Sequence, residues 1–155
     1  MISKTNKPLI FTTDLLWPGH DCCVTNSHLS DHNVTITTNA TTPISEKEGC
    51  PEQLFLKAIT CSLLNTYLEL SKKIKLINAG FECTATGQAE FSDGRLEFTF
   101  IHVYPKAYVS KEADIETALV TLEKAKKICT LYNSITAEII QHSEAVLTPK
   151  KIKAA

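Results

Sequence analysis

Two cysteines fall where two separate apolar helical runs would each present a thiol. Cys61 lies within CPEQLFLKAITCSLLNTY, residues 50–67, and Cys129 lies near the end of a later run. Free cysteine is among the most buried residue types, so either thiol can be a small core hydrophobe and nothing more. If the two helices pack on one another, however, the sulfurs can face across the contact, and a facing pair supports thiol peroxidase chemistry. One thiolate attacks the O–O bond of a peroxide and becomes a sulfenic acid. The other condenses with it to give a disulfide, with no metal or organic cofactor needed.

That chemistry sets different demands on the two sulfurs. The attacking thiol must ionise near neutral pH, which takes a nearby cation or strong hydrogen-bond donors. Mid-helix Cys61 gains little from the helix dipole, whose effect is confined to the terminal turns. Lys57, four residues before it, is one turn away and can supply positive charge, or it can be an ordinary solvated helix lysine. Cys129 sits near a helix C-terminus, where the dipole opposes ionisation, with Lys126 as a possible offset. Glu52 lies nine residues before Cys61. In a straight helix that interval is about 14 Å of rise and half a turn of azimuth, so the two side chains cannot touch. Either the helix bends or the glutamate reaches a neighbouring subunit's thiol. A carboxylate beside a thiolate would raise its pKa, so a role for Glu52 would be to anchor a cation or hydroxyl donor. The plainer reading is an acidic residue that favours a helix N-terminus.

The elements that must position these groups can be read from periodicity. From Leu9 to Thr42 the chain reads as strands and turns, with alternation over His32–Thr38 and a turn at Trp17-Pro18-Gly19-His20-Asp21. Pro51 suits the first position of a helix. Leu54, Ala58, Cys61, Leu64 and Leu68 then form a stripe widened by Phe55, Ile59 and Leu63, ending near Ser71-Lys72-Lys73. From Lys75 to Val109 the pattern is β. Phe81, Cys83, Ala85 and Gly87 alternate, Ser92-Asp93-Gly94 makes a hairpin turn, and Leu96, Phe98 and Phe100 share a face. The Tyr104-Pro105 step suggests an edge or strand end. Lys111 to about Gln141 returns to a helical period through Ile115, Leu119, Leu122, Ala125 and Cys129. Leu131, Ile135 and Ile139 continue it on a rotated face, which implies a break near Cys129-Thr130. Ala145–Thr148 reads as a last short strand. The expected fold is a single α+β domain over 1–155, an antiparallel sheet laid on two core helices.

Composition narrows the function classes. The 155 residues are 43% hydrophobic and 21% charged, and 16 basic residues against 17 acidic give a net charge of -1. A phosphate-dominated nucleic-acid binder would carry a basic excess. Neither a signal peptide nor a membrane-spanning run is legible. Six cysteines without a targeting signal suit a reducing cytoplasm, where thiols are more often buried, metal-bound or catalytic than bridged.

Three segments together carry a family resemblance. "PEQLF…C" resembles the Pro-Glu-x-Leu segment that leads to the peroxidatic cysteine of the OsmC/Ohr proteins. "GRLEFTFIHVYP" resembles the strand that follows, and "AKKICTLYNSI" resembles the Cys-x-x-x-Asn-Ser segment holding the second cysteine. The resemblance runs from about residue 10 to 152, and the Glu52–Cys61 interval is nearer the OsmC-like branch. It implies an intertwined homodimer with two central helices wrapped by sheet and active sites at the subunit interface. It further implies Cys61 as peroxidatic thiol, Cys129 as resolving thiol and Glu52 as the orienting carboxylate. Organic or lipid hydroperoxides would be the substrates, and a lipoyl-type or small dithiol the reductant. A redox-sensing or small-molecule-binding homodimer with little turnover is the alternative. One departure stands out: the Ohr members pair the glutamate with an N-terminal arginine, whereas this chain has fifteen lysines and one arginine, Arg95, after the hairpin turn. Lys4, Lys7, His20, His28 and His32 are possible cations in the N-terminal third.

Other signals are weaker. His20, Asp21, Cys22, Cys23, His28 and His32 are metal-ligand types, but their spacing lacks the paired pattern of a zinc site, and surface turns explain them. Cys50 has no assignable role, Cys83 reads as core, and Tyr67 and Tyr132 can line a pocket or simply pack.

Overall fold

The computed structural model describes residues 8–17, 19 and 51–149. The expected strand at 32–38, the histidine and cysteine group at 20–32, Lys4, Lys7 and Cys50 lie outside the described residues. In chain order the elements are β1 (Leu9–Trp17), α1 (Pro51–Lys73), β2 (Asn78–Ser92), β3 (Arg95–Val109), a 3-10 turn (Glu112–Asp114), α2 (Ile115–Ile128), α3 (Thr130–Asn133), β4 (Glu138–Gln141) and β5 (Glu144–Leu147).

β1 pairs antiparallel with β2, from Leu9 opposite Ala89 to Trp17 opposite Phe81. β2 pairs antiparallel with β3 through a two-residue hairpin closed by Ser92 and Arg95. Asp93 and Gly94 both have positive φ, 50° and 77°, the geometry a tight Asp-Gly hairpin demands. The far edge of β3 is shared: β4 pairs in parallel along Phe100–Val103 and β5 along Lys106–Val109. The sheet is therefore mixed rather than wholly antiparallel. Both helices pack on it and on each other, α1 against β1 and β2, α2 against β3 and β5. The core lies between the layers, built on Phe11, Phe81, Leu56, Leu63, Ile101 and Leu122 among others. No helix of the described residues is long and apolar enough to cross a membrane.

Four departures from the sequence expectation have physical causes. The buried face of α1 is Leu56, Ile59, Thr60, Leu63, Leu64, Tyr67 and Ser71. The stripe through Leu54, Ala58, Cys61 and Leu68 is rotated to one side of it, so Cys61 lies on a flank of the helix. The second helical period does break at Cys129, whose ψ of 118° is extended. Residues Glu138–Gln141, however, form a strand: the β-branched pair Ile139-Ile140 pairs with Ile101 and His102, a placement that suits the pleat better than a helix. Pro105 is inside β3, not at its end. It falls in the interval between the β4 and β5 pairings, where a missing N–H interrupts neither. Finally, a bulge between Gln88 and Ala89, opposite Phe100 and Phe98, separates Phe98 from Phe100.

That bulge turns Phe98 inward, stacked on Phe55 (ring centroids 5.5 Å, 18°) and edge-on to Phe11 (5.6 Å, 69°). Gly87 makes the room. A Cβ there would stand 2.6 Å from Phe98 Cε1 and 3.0 Å from Leu56 Cδ2. Gly87→Ala should therefore destabilise the fold by about 1–3 kcal/mol, the usual range for overpacking, in denaturant titration. The cost should shrink in a Phe98→Leu background, and an unchanged midpoint for Gly87→Ala would show that Phe98 is free to move.

Candidate functional site

α1 is one continuous helix of 23 residues, opened by Pro51 and Glu52 and closed by Lys72 and Lys73, so each end carries the charge its dipole favours. Cys61, at its centre, is half-buried and packs against the core. Burial pushes the Cys61 thiol up from its ordinary value, and the ammonium of Lys57 one turn earlier acts in the opposite direction. Lys57 and Leu54 border a small recess of about 230 Å³ against Thr12, Thr13 and Asp14 of β1.

Cys129 closes α2 and opens α3. Its N–H still donates to the Ala125 carbonyl at 2.8 Å, but its extended ψ redirects the chain into α3. The two residues that follow α3's first turn fix this break. The Asn133 amide donates to the Lys127 carbonyl at 3.1 Å, satisfying an acceptor at the end of α2, and the Ser134 hydroxyl donates to the Thr130 carbonyl at 2.8 Å. The result is a fully buried Cys129 whose sulfur lies 3.3 Å from the Ser62 hydroxyl.

The structure thus brings Cys129 against the residue next to Cys61. Adjacent helix residues point about 100° apart, so Ser62 faces the α2–α3 break while Cys61 points to another side of α1. Both thiols are free. Glu52 and Cys61 are not brought together within the chain, because α1 does not break between them. Glu52 Oε2 is buried, and among the described residues no hydrogen-bond partner reaches it.

Two neighbours were not singled out by sequence reasoning. Ser62 carries no motif, because a serine in mid-helix is unremarkable until its partner is known. Cys83 was expected in the core and is there, at 2% exposure, yet it also lies within electrostatic reach of Cys61. Burial pushes the Cys83 thiol up to about 12, and Cys61 and Asp14 push the same way. That makes it a poor nucleophile at neutral pH. Tyr132 and Tyr67 are core phenols: Tyr132 donates to Gln141 Oε1 at 2.9 Å and Tyr67 to Asn78 Oδ1 at 2.6 Å. Burial raises both, Tyr67 to about 12. Arg95 is an exposed hairpin residue. No group of three or more histidine, cysteine or acidic residues fit for a metal occurs among the described residues.

No protein-family model and no curated protein sequence matches the chain. Solved structures do resemble it. An OsmC-like protein of unknown function from Vibrio cholerae superposes with a TM-score of 0.56 at 18% identity over 61% of this chain. An OsmC-like protein from Mycoplasma pneumoniae gives 0.55 at 15% identity over 70% of this chain and 79% of its own. The fold is OsmC-like. An organic hydroperoxide resistance protein, OsmC, from Legionella pneumophila gives 0.50 at 17% identity, covering 64% of this chain and 72% of that one. The matched region spans 63% of the Vibrio cholerae chain, and at these identities the likeness is one of fold.

Two outcomes follow from the thiol environments. Lys57→Met should move the pH midpoint of Cys61 alkylation by iodoacetamide upward while Lys57→Arg leaves it in place; an unmoved midpoint in Lys57→Met would remove the lysine from the site. For Cys83, the folded chain keeps a proton that the unfolded chain, with its thiol near 9, gives up first. Its contribution to stability is therefore level below pH 9 and falls as pH rises from 9 toward 12. Cys83→Ala should lessen the stability lost between pH 8 and pH 10 by about 1 kcal/mol in urea titrations.

Proposed function

We propose that this protein is a thiol-dependent peroxidase that reduces organic hydroperoxides to alcohols. The observation that carries the reading is the placement of Cys129 against Ser62, which sets a thiol of the second helix beside the helix that carries Cys61 in an OsmC-like fold. The Cys61 thiolate attacks a peroxide oxygen, the O–O bond breaks, and the alkoxide leaves as alcohol after taking a proton. Cys61 becomes a sulfenic acid, Cys129 condenses with it, water leaves, and a disulfide forms. A dithiol, lipoyl-type or small, returns two electrons. The chain works as one domain over 1–155, in a reducing cytoplasm, and the nine-residue Glu52–Cys61 interval places it nearer the OsmC-like branch.

The protein acts as a homodimer in this reading. Glu52 cannot reach Cys61 of its own helix, and its open acceptor is what a cation near a second subunit's thiol would satisfy. Phe55, on the same side of α1, is 38% exposed, as an interface residue would be in an isolated chain. Lys57 supplies part of the field that the Ohr arginine supplies elsewhere. The recess beside it is largely polar, bordered by Thr12, Thr13 and Asp14 as well as Leu54, and lies one turn along α1 from Cys61.

A second reading has its own support. Burial raises the Cys61 thiol, which lowers the thiolate fraction available at neutral pH and suits a redox-sensing or ligand-binding homodimer with little turnover. The two readings separate in a cumene hydroperoxide assay with dihydrolipoamide. Turnover should be abolished by Cys61→Ser, while Cys129→Ser should leave one stoichiometric oxidation and lose recycling. A wild-type protein that consumes no peroxide and forms no dimedone adduct at Cys61 would refute the peroxidase.

A further inference from the structure

Three hydroxyl groups in the middle of these helices make local bonds. Thr60 donates to the Lys57 carbonyl at 2.9 Å, Thr66 to the Ser62 carbonyl at 2.8 Å, and Thr121 to the Thr117 carbonyl at 2.7 Å. Each bonds back to the preceding turn of its own helix, the local contact such residues ordinarily make. Ser62 does not. Its hydroxyl reaches out of α1 to Cys129 Sγ, 67 residues away, at 3.3 Å. Cys129 is fully buried, so no bulk water stands ready to take its proton. Ser62 is also covalently next to Cys61, where the sulfenic acid would stand.

We propose that Ser62 is the proton-transfer residue of the disulfide-forming step. This rests on the peroxidase reading for its biological setting. In that step Cys61–S–OH and H–S–Cys129 give Cys61–S–S–Cys129 and water. The S–O bond breaks as the S–S bond forms, and the sulfenic sulfur is reduced as the thiol sulfur is oxidised. The thiol proton must leave a buried sulfur and the departing hydroxide must gain one. The Ser62 hydroxyl accepts the first from Cys129 while it gives its own to the second, so no ion is stranded in the core. It also holds the Cys129 sulfur against the residue next to Cys61.

The test uses full-length protein and needs no peroxidase activity. With Cys22, Cys23 and Cys50 replaced by serine, reaction of Cys61 with 5,5′-dithiobis(2-nitrobenzoate) leaves a mixed disulfide and releases one thionitrobenzoate. Attack by Cys129 then releases a second, which Cys129→Ser abolishes. Ser62→Val and Ser62→Thr have nearly the same shape and differ in the hydroxyl. The second release should slow about tenfold or more in Ser62→Val and stay near the wild-type rate in Ser62→Thr. With cumene hydroperoxide, the dimedone-reactive sulfenic acid should persist correspondingly longer in Ser62→Val. Equal second-release rates in the two variants would overturn the proposal, whatever the peroxide arm gives. A difference between them in a protein that forms no sulfenic acid would leave Ser62 in place and remove the peroxidase.

Discussion

The sharp end of α2 is the constraint on which the site depends. A helix that ran on through Cys129 would carry its sulfur around with the helical phase. The extended ψ at Cys129 stops that, and the Asn133 amide satisfies the carbonyl that the break leaves open at Lys127. The buried sulfur is thereby pinned where α1 passes. The Asn-Ser pair that follows the cysteine is thus a local brace, and its chemistry is that of helix termination. The sheet supplies the rigid floor, since β2 and β3 are 15 residues each and lie beneath both helices.

Burial and reactivity pull against each other across the thiols. Cys83, Cys129 and Cys61 lie in or against one apolar cluster, and apolar surroundings favour the protonated thiol. Cys83 shows the full consequence, its thiol pushed up to about 12 by burial. Cys61 escapes in part because it sits on the flank of α1, with Lys57 one turn away. The rotation of α1 by part of a turn, placing Leu56 rather than Leu54 on the buried face, is what separates a half-buried position from a core one.

Much of this was legible in the sequence because it was local. Pro51, the Asp93-Gly94 hairpin and the inward alternation of Phe81, Cys83, Ala85 and Gly87 each follow from the backbone preference or periodicity of a few neighbouring residues. The change of helical face predicted the break at Cys129. What failed depended on pairing between distant segments. Residues 138–141 fit a helical period, and only the open edge of β3 makes them a strand. The bulge opposite Gln88 shifts the alternation of Phe98 and Phe100, and Pro105 is tolerated only because two short strands meet beside it. Ser62 gave no signal, for its meaning lies in a partner 67 residues away.

The edge of β3 also orders the assembly of the molecule in time. The β2–β3 hairpin joins neighbours in sequence, so its closure costs little loop entropy, whereas β4 and β5 must return across α2 to pair in parallel some forty residues from their partners. The C-terminal strands therefore dock last, and until they do, the outer margin of β3 stands open and α2 lacks one wall of its seat. A chain lacking residues 138–147 would therefore leave the margin of β3 and one side of α2 uncovered.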